Sequence, residues 1–133
     1  MVKEYVYEHV VTSHDATTSG IAHDGSYVEW ACIARERMII NYVDLAGVPS
    51  PRFLVGETYV HYLSPLFLND LVEVKVSVVD HNVEKGYQKF DYRFIKKESN
   101  QLIAQGYQVM FFYDFDSGKR IPIPREFLKL VGK

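Results

Sequence analysis

The chain has 133 residues, which suits one domain with a core of its own. A composition that is 47% hydrophobic and 14% aromatic excludes a disordered chain. A formal net charge of −2 leaves no basic footprint for nucleic acid, and a single cysteine, Cys32, excludes an internal disulfide framework or a cysteine-based metal site.

One cysteine fits a reducing cytoplasm. The opening MVKEYVYEHV has no long apolar run and no small-residue cleavage site, so neither a signal peptide nor a transmembrane span is expected. Lys3 to Thr12 alternates and reads as a strand, with Tyr5, Tyr7, His9 and Val11 sharing one side. Ser13 to Gly20 is small and polar and reads as a loop. Ile21 to Tyr42 reads as the longest helix. Asp24, Gly25 and Ser26 supply capping residues at its start. Tyr27, Trp30, Ala31, Ala34 and Met38 recur at three- and four-residue steps and form one apolar stripe, whose alanines admit a close neighbour. Asp44 to Arg52 holds Gly47, Pro49 and Pro51 and should be irregular, with DLAG able to add one more turn.

Phe53 to Leu63 reads as the second strand and Leu71 to Asn82 as the third. In the third, Val72, Val74, Val76 and Val78 oppose Glu73, Lys75 and Ser77, which gives one buried and one wetter face. Tyr87 to Lys97 and Leu102 to Phe115 read as the last two. Asp116 to Lys119 is a strong turn signal, and Pro124 sets up a short terminal helix over Arg125 to Val131. Short connections among the last four strands favour antiparallel neighbours. The order β–α–β–β–β–β predicts an α+β chain: a curled antiparallel sheet wrapped around one central helix.

Three stretches resemble the hotdog-fold acyl-CoA thioesterases, in the branch of 4-hydroxybenzoyl-CoA thioesterase. One is Asp15, Gly20, Tyr27 and Trp30, ending in Ala34–Arg35. Another is VGETYVHYLSPLFLNDLVEVKVSVV, and the last is the tail FFYDFDSGKRIPIP. Together they cover nearly the whole chain. The resemblance implies a single hotdog domain over 1–133 that hydrolyses a thioester of coenzyme A or of an acyl-carrier protein. No metal or further cofactor is implied. It also implies a homodimer with active sites between subunits, paired again as a dimer of dimers; pairing is one way to manage the exposed edges of a single curled sheet.

Thioester hydrolysis needs a polarised carbonyl and an attacking water or carboxylate. By resemblance the first job falls to the helix N-terminus near Asp24 and Gly25, since free N–H groups and the dipole favour negative charge there. Gly25 would leave the approach unobstructed. The family's catalytic aspartate stands three residues before the glycine, where this chain has Thr17; Asp15 holds the more distant position. A missing general base is worth roughly 10²–10⁴-fold. Four readings stay open: Asp24 substitutes, against a role as helix cap; His23 acts as base, histidine titrating near neutrality; Asp15 reaches in, against a structural loop bond; or water is positioned by Thr17, Thr18 or Asp24 without a strong base.

Arg35 and Glu36 are candidates for anchoring substrate or a partner loop, against a surface salt bridge. Tyr27, Tyr42 and Phe53 would line an acyl tunnel or fill the core. Glu57 and His61 share a strand face but lack a third metal ligand. Lys85, Lys89, Arg93, Lys96 and Lys97 would meet coenzyme A phosphates or form a solvated face. Two rivals remain. One is a dehydratase or hydratase pairing His23 with Glu36, though the Gly-His-Phe-Pro context is absent. The other is a non-catalytic acyl-CoA binding module, which Thr17 favours.

Overall fold

The structure, a computed structural model, describes residues 4–131. Its elements run β1 (Tyr5–Val10), α1 (Asp24–Ala46), β2 (Phe53–Tyr62), β3 (Leu71–Asn82), β4 (Tyr87–Lys96), β5 (Gln101–Asp114) and β6 (Lys119–Arg120), then a 3-10 helix at Arg125–Val131. The strand start expected at Lys3 lies outside the described residues. β6 went unforeseen because two residues carry no periodicity. The terminal helix is of the tighter 3-10 type, which suits one short turn after Pro124.

The strands form one antiparallel sheet in the order β1-β3-β4-β5-β2, with β6 on β5. Alternation dictates which side is dry. Val72, Val74, Val76, Phe90, Tyr92 and Phe94 all turn to one face and are buried. The sheet's concave side takes α1. Tyr27, Trp30, Ala31, Ala34 and Met38, the apolar stripe, are all buried against it. Each large apolar side chain buried this way contributes roughly 1.5–3 kcal/mol. α1 runs one turn beyond Tyr42, through DLA. It ends at Gly47, whose left-handed φ of 66° lets its N–H reach the Val43 carbonyl.

Two glycines fix close approaches. A Cβ on Gly106 would lie 1.9 Å from the Tyr59 carbonyl oxygen, so only glycine lets β2 seat on β5 there. Gly86 turns β3 into β4 at a φ of +73°, and a Cβ on it would lie 1.8 Å from the Ile121 carbonyl oxygen of the returning tail. No helix among the described residues is long and apolar enough to cross a membrane.

Candidate active site

The loop before α1 folds back on itself as a small hairpin. The His23 N–H donates to the Asp15 carbonyl (2.9 Å), Ala16 bridges Ala22, and the Thr17 N–H donates to the Ile21 carbonyl (2.8 Å). The turn closes through Gly20 at a φ of +78°. Its outer strand is tied to the β2–β3 connection, where the Ala22 N–H donates to the Leu66 carbonyl and the Leu68 N–H to the Gly20 carbonyl (2.9 Å each). This hairpin sets where α1 begins.

α1 begins at Asp24, and its N-cap is His23, in extended conformation with no side-chain cap bond among the described residues. The expected capping by Asp24 is therefore not realised. Asp24 is already the first helical residue, a place where a carboxylate gains from the dipole but cannot reach back as a cap. The N–H groups of Asp24 and Gly25 have no carbonyl four residues back within the helix, so this end is left uncapped. Ser26 faces inward instead. Its hydroxyl donates to the Asp15 carbonyl at 2.9 Å and meets His23 Nε2 at 3.1 Å. With its one proton committed, Ser26 accepts from His23, so a neutral His23 carries its hydrogen on Nε2 and keeps a free lone pair on Nδ1. Gly25 gives that nitrogen room: a Cβ there would come within 3.3 Å of Nδ1 and Cε1.

Asp15 has a different occupation. It is 2% exposed, and its carboxylate accepts from His9 Nε2 (2.7 Å), the Thr12 N–H and hydroxyl (2.9 Å each) and Trp30 Nε1 (3.3 Å). Burial alone would raise its pKa. The bonds from Thr12 and His9 outweigh burial and hold it down at about 2. His9 in turn accepts from the Tyr7 hydroxyl at 2.8 Å and packs on Trp30 with ring centroids 5.0 Å apart. His9 was absent from the sequence candidates. Its signal was its place beside Tyr7 and Val11 on the inward side of β1.

Thr17 lies two pairs down the hairpin from His23 and is exposed, its hydroxyl accepting from the Ser19 N–H at 3.3 Å. The start of α1 opens on a cavity of about 360 Å³ walled by Ile21, Ala22, Asp24, Tyr27, Tyr62 and Leu63. Tyr27 is 2% exposed, packs edge-on against Tyr62 and Phe94, and has a phenol pushed by burial up to about 12. It both lines this cavity and belongs to the core. Tyr62, another residue missed from sequence, donates to the Asp24 carbonyl at 2.8 Å and ties the end of β2 to the helix start.

Arg35 does not join this cavity. Ten residues beyond Gly25, it lies about 15 Å farther along the helix axis. The surface salt bridge expected for it is only part of the arrangement. Arg35 bonds Glu36 at 3.0 Å, but it is itself buried, with Nη1 donating to Gln108 Oε1 at 2.7 Å. It leaves the stripe on the side where β5 presents a polar residue. Cys32 is half-buried against Arg35 and Gln108. Glu36 stands about 18 Å along the axis from the helix start, so within one chain it cannot pair with His23 as a dehydratase dyad. No group of three His, Cys, Asp or Glu among the described residues is placed to hold a metal. The basic residues considered for phosphates are largely engaged: Lys97 with Glu8, Arg93 with Glu4 (2.8 Å), Lys96 with Asp70 (3.5 Å), and Lys89 over the Tyr107 ring (4.1 Å).

The fold is that of known thioesterases. A 1,4-dihydroxy-2-naphthoyl-CoA thioesterase from Synechocystis superposes with a TM-score of 0.81 at 14% identity, covering 97% of this chain and 96% of its own. The dynemicin thioesterase gives 0.81 at 18% identity, covering 97% and 95%. A Staphylococcus aureus protein solved in complex with CoA gives 0.83 at 17% identity, covering 98% and 84%. No curated protein matches the chain by sequence. A family model does: the thioesterase-like superfamily matches residues 11–131, from the end of β1 to the terminal 3-10 helix. The chain therefore belongs to the thioesterase-like superfamily, with the hotdog arrangement of one helix in a curled sheet.

Proposed function

We propose that the chain, as one hotdog domain, hydrolyses the thioester of an acyl-CoA or acyl-carrier protein to free acid and thiol. The observation that carries this reading is the uncapped start of α1 opening on a solvent-accessible cleft of mixed polar and apolar lining. The free N–H groups of Asp24 and Gly25 polarise the thioester carbonyl and hold the oxyanion that forms on attack. The attacker is water. His23 Nδ1 takes its proton as the carbon–oxygen bond forms. When the oxyanion collapses, the carbon–sulfur bond breaks and the imidazolium returns the proton to the leaving thiolate, so atoms and charge balance. His23 is preferred over Asp24 because its lone pair is oriented by Ser26, whereas no hydrogen bond orients the Asp24 carboxylate among the described residues. Asp15 serves as a positioning residue, since every contact it makes holds the hairpin. Thr17 contributes at most a hydrogen bond to water. The test is thiol release from a panel of acyl-CoAs, where steady turnover is expected. Tight binding with no thiol released would sink the enzyme and favour the binding module.

The reading includes a dimer and, beyond it, a dimer of dimers. β2 is an edge strand with Leu54, Val55, Tyr59 and Tyr62 between 42% and 49% exposed, a long apolar edge that antiparallel pairing with a second copy would cover. Sedimentation equilibrium should return at least twice the chain mass of 15.4 kDa, and Tyr59→Lys should shift it toward one. A monomer at micromolar concentration contradicts the pairing. The single cysteine supports placing the enzyme in the cytoplasm.

A further inference from the structure

A second cleft, of about 540 Å³ and open to solvent, lies between the middle of α1 and the start of β2; Arg35 and Arg52 wall it together with Glu36, and Phe53, Val55, Met110 and Phe115 supply its apolar part. Its charge is unusual. Arg35 is 7% exposed, yet its one carboxylate partner among the described residues is Glu36, whose side chain is 56% exposed and therefore well screened by water. The guanidinium is held in place by neutral groups. Nη1 donates to Gln108 Oε1, which also accepts from the Tyr92 hydroxyl at 2.7 Å, while Gln108 Nε2 donates to Thr58 Oγ1 at 3.3 Å. Nη2 has no hydrogen-bond partner among the described residues. Arg52 adds a second cation, its guanidinium carbon 5.6 Å from the Phe115 ring centroid.

A buried cation is costly unless paired and bonded, and the contrast with Asp15 is instructive. The Asp15 carboxylate has four donors, whereas Arg35 keeps Nη2 without a protein partner among the described residues and open to solvent beside the cleft. We propose that this cavity is a subsite for an anionic oxygen at the far end of the acyl group, so that the preferred substrates are monothioesters of dicarboxylic acids. The proposal rests on the thioesterase reading above. Phe53, Val55, Met110 and Phe115 would pack the methylenes, and the two arginines would hold the terminal carboxylate, Arg35 by its free Nη2. Antiparallel pairing of two β2 edges sets the Arg52 end of one copy beside the Tyr62 end of the other. In the dimer proposed above, that pairing would bring the anion subsite of one copy toward the helix start of its partner.

Adipyl-CoA and hexanoyl-CoA have equal chain length and differ only in the terminal carboxylate. The wild-type chain should favour adipyl-CoA in kcat/KM by about tenfold to a hundredfold, the range for a charge-assisted bond. Arg35→Met should bring that ratio near one, mostly by raising KM for adipyl-CoA. Arg52→Gln, at an exposed position, should lower it as well and does not risk the core. The preference should survive when N-acetylcysteamine replaces coenzyme A. Equal turnover of the two thioesters overturns the proposal. So does an arginine effect that vanishes with the N-acetylcysteamine thioesters, which would make the bound anion a coenzyme phosphate. If neither thioester is hydrolysed, the thioesterase reading fails, and calorimetry with the matching CoA thioethers still decides this one. Tighter binding of the carboxylate-ended thioether, lost in Arg52→Gln, supports the subsite, and equal binding overturns it.

Discussion

Replacing His23 with alanine should lower kcat by about 10²- to 10⁴-fold, the usual worth of a general base, with the fold intact. Among the described residues the side chain has one hydrogen bond, to Ser26, so its removal costs about 1 kcal/mol of stability at most. A small change in melting temperature with a large loss of turnover separates a chemical role from a structural one. His23→Gln should do no better. The amide can keep the bond to Ser26, but it offers no basic lone pair. Asp24→Asn is the control of opposite sense. Asp24 supports the helix start by its charge alone, worth about 0.3–1 kcal/mol, and its loss also removes a negative charge near the oxyanion. Its effect on kcat should stay below that of His23→Ala by at least an order of magnitude. The reverse ranking would move the base to Asp24.

Asp15→Ala should be the most destabilising change near the site, by about 3–5 kcal/mol in urea or thermal unfolding. It would strand the His9 Nε2, the Thr12 N–H and hydroxyl, and the Trp30 indole N–H, all of which meet in this one carboxylate. Asp15→Asn should cost less, because the amide oxygen still accepts some of these bonds. The same contacts set a pH dependence. Burial pushes the carboxyl pKa up, but the bonds from Thr12 and His9 pull it down further, from 3.8 to about 2. A lowered folded-state pKa means stability that is fully present above the unfolded value and is lost as pH falls from about 4 toward 2. Urea midpoints across that window should fall for the wild type and fall less steeply for Asp15→Asn. Parallel curves would show that Asp15 is not the group responsible. A stable hairpin matters for function because Asp15 also accepts from the His23 N–H and the Ser26 hydroxyl through its carbonyl. The residue that anchors the loop thereby aims the proposed base.

Local periodicity was enough to reveal the elements. A two-residue repeat at Val72, Val74 and Val76, and a three- and four-residue repeat from Tyr27 to Met38, report a face as well as a backbone type, because side-chain direction follows the backbone period. The motif order around Asp15, Gly20 and Tyr27 likewise pointed to a hotdog thioesterase. The helix was expected from Ile21 but starts at Asp24, because Ile21 and Ala22 are held in the bridges of the hairpin; the polar cluster from Asp24 to Ser26 marks the true start.

Four matters were settled only by tertiary structure. The sheet order puts β2 at an edge although it precedes β3 in sequence, and pairing over that separation depends on the whole chain closing. Asp15 finds His9, six residues away, because a hairpin and a strand converge there. Arg35 is buried although the charged Glu36 and Arg37 follow it, because Gln108, 73 residues later, supplies the acceptor. His23 gained its orientation from Ser26 and the Asp15 carbonyl together, a three-body arrangement that no spacing rule contains. Sequence determined the faces, because each face is written in a repeat of two to four residues. Tertiary structure decided which polar groups are satisfied and which are left free to act, because that depends on partners far along the chain.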